Sequence, residues 1–363
     1  MTESERTRKR LIKHYGDYPM LQITDIFKYL FQSSFGCEHF LSSEKAAVDG
    51  IKREYADSAP RGNTLVEELD GEYSRVHLSC LNFGMSAETL GKVFCMSARK
   101  EEMGREALIK KLDVAVALAE SGELPVDLSK LKSAVEEWKD QSFYAVRHSE
   151  IFRERYAPAY RVVLNEYAEL LPLLVRIDQA LKKGSAVIAI EGGSACGKTT
   201  LAEKLSRIYD CNVFHMDDFF LRPEQRTPER FAEAGGNVDR ERFLSDVLTP
   251  LSEGRAVEYS RFNCSTQKLE ATMTVEQKPL TIVEGAYSMH PELARFYDLS
   301  VFLDISAEYQ RERILKRNTA FFAERFFGEW IPLELEYFSK LNVKESCDMV
   351  IKVDKKVVEN DYE

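Results

Sequence analysis

The chain has 363 residues, 44% of them hydrophobic and 30% charged, with a formal net charge of -10. This is the balance of a globular protein with about two domains of roughly 150 residues each. The acidity disfavours nucleic acid as a partner, and no apolar run approaches the about 20 residues of a membrane helix, so no membrane partner is expected either.

The first residues, MTESERTRKRLIKHYG, contain no apolar core of the kind a secretory signal needs. Within them, RTRKR at 6–10 reads as a solvated helix end. Seven cysteines, at 37, 80, 95, 196, 211, 264 and 347, form no CxxC pair. Dispersed single cysteines read as reduced thiols, and a cytoplasmic location is expected.

Residues 1–183 read as a mainly α-helical N-terminal domain. Leu21, Ile23, Ile26, Phe27, Tyr29, Leu30 and Phe31 recur at roughly helical spacing after Pro19. Ser86 is an N-cap for a helix through Leu90, Val93, Phe94 and Met96. Further helical patterns cover 104–120, 127–140 and 158–182, and one alternating run, Tyr73 to Leu78, reads as a strand. Cys37, Glu38, His39, His77, His148, Glu150, Tyr160 and Arg161 include metal-ligating and acid–base types. Their spacing specifies no site, and ordinary core or surface histidines are the favoured reading. The roles open to this half are metabolite sensing, dimerisation into a homo-oligomer, or one wall of a substrate cleft. Lys182, Lys183, Gly184 and Ser185 mark the boundary.

From 184 to 363 the rhythm changes. Short β-rich runs at 186–191, 212–216, 280–284, 299–305 and 348–353 alternate with helical stretches at 198–209, 239–252, 306–317 and 332–341. Such alternation predicts an α/β domain, a parallel sheet between two helical layers. Residues 257–262 and 268–275 read as an inserted hairpin.

The first strand of this half runs into Gly192, Gly193, Ser194, Ala195, Cys196, Gly197, Lys198, Thr199 and Thr200, which fit G-x-x-x-x-G-K-[ST] between a strand and a helix. Small residues let successive backbone N–H groups converge on a phosphate, and the following helix adds its positive end. Lys198 would meet the β- and γ-phosphates of ATP, and Thr199 offers a hydroxyl to Mg²⁺. The domain therefore reads as a P-loop NTPase fold with ATP and Mg²⁺ as cofactors. Cys196 reads as a small loop residue, not a nucleophile.

Asp217 and Asp218 follow the second strand, where ligand sites of α/β sheets lie. Asp217 is the candidate base for an acceptor hydroxyl and Asp218 the reserve; the competing role is an N-cap. Glu284 ends the strand LTIVE, where Mg²⁺ or its waters would sit. Arg311, Arg313, Lys316 and Arg317 crowd one helix ahead of an aromatic segment, the composition of a lid or of a solvated basic face.

Taken together, GGSACGKTT, HMDDFFL, NVDRERF, YSRF, IVEGAYS, FLDISAEYQRERILKRN and EWIPLE resemble the uridine kinase family over roughly residues 184–356. The resemblance implies transfer of the γ-phosphoryl of ATP to the 5′-hydroxyl of a pyrimidine nucleoside, uridine or cytidine. It implies Asp217 as general base, Thr199 and Glu284 beside Mg²⁺, Asp239 near the ribose hydroxyls, Tyr259 facing the base, and Arg313 and Arg317 in the lid. Arg261, in the YSRF stretch with Tyr259, belongs with Asp218 to the candidate substrate residues. The chain departs from the family pattern in RFNCSTQ, which lacks the family's hairpin histidine, and in NVD, which shortens its ribose-side motif. Two other readings stay open: a regulatory nucleotide-binding protein, for which IKVD at 351–354 is a poor base-recognition motif, and a kinase of the same fold with another acceptor.

Overall fold

The computed structural model describes residues 2–37, 43–58, 64–98 and 104–353. The chain divides into two compact units, Met1–Val175 and Arg176–Glu363. The division falls inside the helix Leu171–Leu181, ahead of the 183/184 break that Gly184 suggests.

The first unit is mainly helical. Its opening helix, Glu3–Asp17, is capped by Thr2, whose hydroxyl accepts from the Glu5 N–H while Glu5 reaches back to the Thr2 N–H. Residues 6–10 therefore lie inside a helix, not at its end. Arg6 donates to the fully buried Asp70, and Arg10 pairs with Glu68. Ser86 caps the helix Ala87–Met96 through the Thr89 N–H, as its position predicts. Helices Gly104–Glu120 and Leu128–Asp140 occupy the expected ranges.

The helix expected over 158–182 is not continuous. Tyr160–Leu164 is a strand, followed by short and long helices at Asn165–Ala168 and Leu171–Leu181. It completes an antiparallel sheet of β1 (Val66–Glu68), β2 (Tyr73–His77) and β3 (Tyr160–Leu164), in that order. Val162, Val163 and Leu164 are buried against the unit's core, so β-branched packing and the waiting edge of β2 outweigh the local helical pattern. Arg75 of β2 is 1% exposed; its guanidinium meets Glu67 at 3.2 Å and Gln32 at 2.8 and 3.0 Å.

The second unit follows the expected alternation. Its sheet contains β4 (Ala186–Gly192), β5 (Cys211–His215), β10 (Leu280–Glu284), β11 (Leu299–Asp304) and β12 (Met349–Lys352). All neighbours run parallel, in the order β12-β11-β4-β10-β5. The connecting helices make this a three-layer P-loop α/β fold. Between β5 and β10 the chain adds two small antiparallel pairs. These are β6 (Val257–Tyr259) with β9 (Met273–Val275), and β7 (Phe262–Asn263) with β8 (Lys268–Leu269). β4 is central and buried along almost its whole length, which explains the apolar run over residues 186–190.

Candidate active site

The site forms where β4, β10 and β5 end together. In register, Glu284 stands opposite both Ile190 and His215. The chain leaves β4 at Gly192, whose φ of 144° only glycine adopts freely. A Cβ there would lie 2.7 Å from the Leu303 carbonyl oxygen. Ala195 and Gly197 also take positive φ, at 61° and 105°, and the helix Lys198–Ile208 begins directly after. Alternating backbone hands of this kind turn N–H groups inward, and the helix N-terminus faces the same space.

Lys198 folds over its own loop, donating to the carbonyls of Gly192 at 2.8 Å and Gly193 at 3.0 Å. Burial alone would lower its pKa, but Cys196 and the carboxylates of Glu334, Glu191 and Asp217 outweigh it, and the ammonium sits above its ordinary value. Cys196 is 1% exposed, and burial pushes its thiol up, which leaves it unsuited to act as a nucleophile.

The loop is braced from two further helices. On Ala307–Arg317, Gln310 donates to the Ser194 carbonyl at 2.8 Å and Arg313 to the carbonyls of Ala195 and Cys196 at 3.0 and 3.2 Å. On Ile331–Lys340, Glu334 accepts from both the Ser194 N–H at 2.8 Å and the Ser194 hydroxyl at 2.6 Å. One amide of the loop is thus held by the chain's own carboxylate. Burial pushes the Glu334 pKa up, against the pull of Lys198 and the Ser194 donors.

Across from the loop, the Thr199 hydroxyl donates to Glu284 Oε1 at 3.0 Å. His215 Nδ1 lies 2.5 Å from the same oxygen, and this bond raises the His215 pKa against the effect of burial. Gly285, φ 143°, turns the chain sharply after Glu284; a Cβ there would lie 2.6 Å from Met216 Cβ. The Thr199 and Glu284 oxygens are a hard pair suited to Mg²⁺. No group of three or more His, Cys, Asp or Glu side chains with metal-holding geometry occurs among the described residues. That donor set fits an ion that takes its remaining ligands from phosphates and water.

Asp217 and Asp218 lie in the turn Met216–Phe219 that follows β5. Asp217 is exposed as a residue, yet protein packs close around its carboxyl. Its pKa is raised, first by desolvation, then by Glu284 and Asp218, with Lys198 and His215 opposing. Asp218 Oδ2 lies 3.3 Å from Arg261 Nε, but without the alignment of a hydrogen bond.

Other candidates are placed differently. Asp239 is 2% exposed and caps the helix Arg240–Phe243, accepting from the Arg242 N–H at 3.2 Å. Tyr259 is 3% exposed, with its ring stacked on Phe219 at 5.6 Å in the core. Tyr259 is buried because the short insert folds against the sheet, and Asp239 because it caps the helix that follows it. Arg317 is exposed at the end of its helix, and its side chain forms no ion pair or hydrogen bond among the described residues.

Sequence reasoning passed over Glu191, Glu334, Gln310 and His215. Glu191 is fully buried beside the loop and accepts from the Gly192 and Met289 N–H groups at 2.8 and 3.0 Å and from the Tyr337 hydroxyl at 3.1 Å. A lone acid closing an apolar strand is a signal that could have found it. Nothing in EWIPLE marks Glu334 as a loop ligand.

A parallel sheet with a phosphate cradle on its central strand, and a hydroxyl–carboxylate pair facing it, defines a P-loop kinase-like domain. Residues 187–322 match the model of the Phosphoribulokinase / Uridine kinase family, and the likeness to uridine kinases lies in this C-terminal half. The chain is 27% identical over 187 residues to Uridine kinase-like protein 4 of Arabidopsis thaliana, covering 49% of this chain and 38% of that protein. It is 28% identical over 167 residues to a uridine kinase of Chloroflexus aggregans, covering 42% of this chain and 79% of that one. A solved chain titled as a possible uridine kinase from Bacillus stearothermophilus is 21% identical, with a TM-score of 0.37, covering 50% of this chain and 99% of its own. Among the described residues no helix is long and apolar enough to cross a membrane.

Proposed function

We propose that residues 176–363 transfer the γ-phosphoryl of ATP to the hydroxyl of a small molecule, a pyrimidine nucleoside 5′-hydroxyl first among them. The observation that carries this reading is the convergence of the 192–199 loop, the Thr199–Glu284 pair and Asp217 at neighbouring strand ends. Loop amides and Lys198 hold the β- and γ-phosphates. Mg²⁺, held at Thr199 and Glu284, would neutralise phosphate charge. Asp217 accepts the proton of the acceptor hydroxyl as its oxygen bonds to the γ-phosphorus and the bond to the bridging oxygen breaks, releasing ADP. Arg313 acts through the loop it braces, and Arg317 is free to close over the cleft.

A kinase with a different acceptor is the second reading. It is favoured by the burial of Tyr259 and the capping role of Asp239, which turn both side chains away from reading a nucleoside.

The test is Mg²⁺-dependent ATP consumption against a panel of nucleosides, sugars and other metabolite alcohols. Asp217→Asn should lower kcat by about 10²–10⁴-fold with ATP binding kept. The base works only when ionised, so wild-type kcat should fall on acidification through a pKa above the ordinary aspartate range. Turnover of ATP independent of any acceptor, or unchanged kcat in the variant, refutes the reading.

A further inference from the structure

The N-terminal unit contains a cavity of about 630 Å³. It opens between the helices Ile23–Phe35 and Glu44–Ser58 and the segment 147–162, all within residues 1–175. Its charge is opposite to that of the chain. Among the described residues, the charged ones lining it are Lys28, Arg147, Arg153 and Arg161 against one carboxylate, Glu54, in a protein of net charge -10. Glu54 is engaged with Arg161 at 2.7 Å. The exposed side chains of Arg147 and Arg153 form no ion pair among the described residues. Lys28 donates to the Val146 carbonyl at 3.1 Å, and burial followed by the nearby Arg75 pushes its pKa down to about 8. An anion in the cavity would reverse that shift.

The floor is rigid and polar. Burial pushes the His148 pKa down to about 4, so the ring is neutral at pH 7. Its Nδ1 lies 2.9 Å from Asp25 Oδ1, which as a carboxylate only accepts; the ring hydrogen is therefore on Nδ1. Nε2 then accepts from the Tyr160 hydroxyl at 2.7 Å. The His148 ring is stacked on Phe152, and Gln32 is clamped by Arg75. Above this floor Phe94, Val162 and Pro158 supply apolar wall. A water-filled cavity needs neither surplus cations nor a locked hydrogen-bonded base. An organic anion uses both, with its charge on the basic rim and its body against the apolar wall.

We propose that this cavity binds a small organic phosphate ester, at a site that phosphoryl transfer does not use. Guanidinium forks recognise phosphate oxygens two at a time, and the surplus of cations matches a dianion. The nature of the site also supplies the role that the long N-terminal half otherwise lacks: a receptor for a phosphorylated metabolite.

The experiment is isothermal titration calorimetry on the full chain with ribose 5-phosphate, glycerol 3-phosphate and citrate. Ribose 5-phosphate and glycerol 3-phosphate are expected to bind with submillimolar Kd, weakening several-fold between 50 and 300 mM NaCl. The double variant Arg147→Ala, Arg153→Ala should weaken both at least tenfold, whereas Lys198→Ala should leave them unchanged. Both arginines are exposed, so a circular-dichroism spectrum and melting temperature equal to wild type will show that the loss is not unfolding. Absence of binding at 10 mM of either phosphate probe, binding insensitive to the double variant, binding lost in Lys198→Ala, or citrate binding as tightly as the esters would each overturn the proposal. None of these outcomes depends on kinase turnover.

Discussion

Glu334→Gln should tighten ATP binding. In the structure the Glu334 carboxylate, 5% exposed, takes the Ser194 N–H and hydroxyl at 2.8 and 2.6 Å. A phosphate using that amide must first displace it and then share the space with a carboxylate. Hydrogen bonds to a charged acceptor contribute about 1.5–3 kcal/mol and neutral ones about 0.5–1.5. Neutralising the acceptor therefore removes about 1 kcal/mol from each of two bonds, or about 2 kcal/mol of competition. The Gln amide keeps one acceptor oxygen on Ser194, and some of the gain is lost as Lys198 gives up a neighbouring carboxylate. A net gain of about 1.4 kcal/mol is tenfold in affinity. Calorimetric titration of wild type and variant with a non-hydrolysable ATP analogue and Mg²⁺ reads this directly. Unchanged or weaker binding by a folded variant would show that Glu334 supports the nucleotide-ready loop and does not compete for it.

Two further outcomes are expected. Glu284→Gln should raise the Mg²⁺ concentration needed for half-maximal nucleotide affinity by about tenfold, as a hard oxygen ligand loses its charge; NMR titration should also show the His215 pKa falling, since the Glu284 bond is what raises it. An unaltered Mg²⁺ profile would remove Glu284 from the metal's surroundings. The buried Glu191 carboxyl is raised to about 7 by desolvation, outweighing its backbone donors. The unfolded chain ionises it near 4.5, so between about pH 4.5 and 7 the folded state binds more protons and stability declines as pH rises. At 1.36 kcal/mol per unit the decline amounts to about 3 kcal/mol. Melting temperatures of Glu191→Gln should lack that part of the slope, and identical slopes in the two proteins would place the proton elsewhere.

The second unit was the more legible half because its signals are local. The glycines, Lys198 and Thr199 adjoin one strand, and the following strands are short runs, two of which, Leu280–Glu284 and Leu299–Asp304, close on an acid. Tyr160–Leu164 misled because a strand that pairs with residues 73–77 is set by a distant partner, while its own segment continues smoothly into a helix. Tyr259 and Asp239 illustrate a different limit. Residue type and motif order named them, but the burial of Tyr259 depends on how tightly a short insert folds against the sheet, and that of Asp239 on the helix it caps. Glu334 reaches Ser194 only because the fold brings a late helix back to the loop. The polar floor of the N-terminal cavity joins Asp25, Gln32, His148 and Tyr160, which no sequence window spans.

The three-stranded sheet of the first unit has a consequence for synthesis. β1 and β2 are in hand once residue 77 has left the ribosome, but β3 arrives only at residue 160, with four α-helices among the described residues made in between. Until then one side of β2 has no neighbour, and the Arg75 guanidinium has no Tyr160 ring beneath it. The nascent first unit is thus committed to waiting for its last strand, a window in which a chaperone or a second nascent chain can claim the open edge.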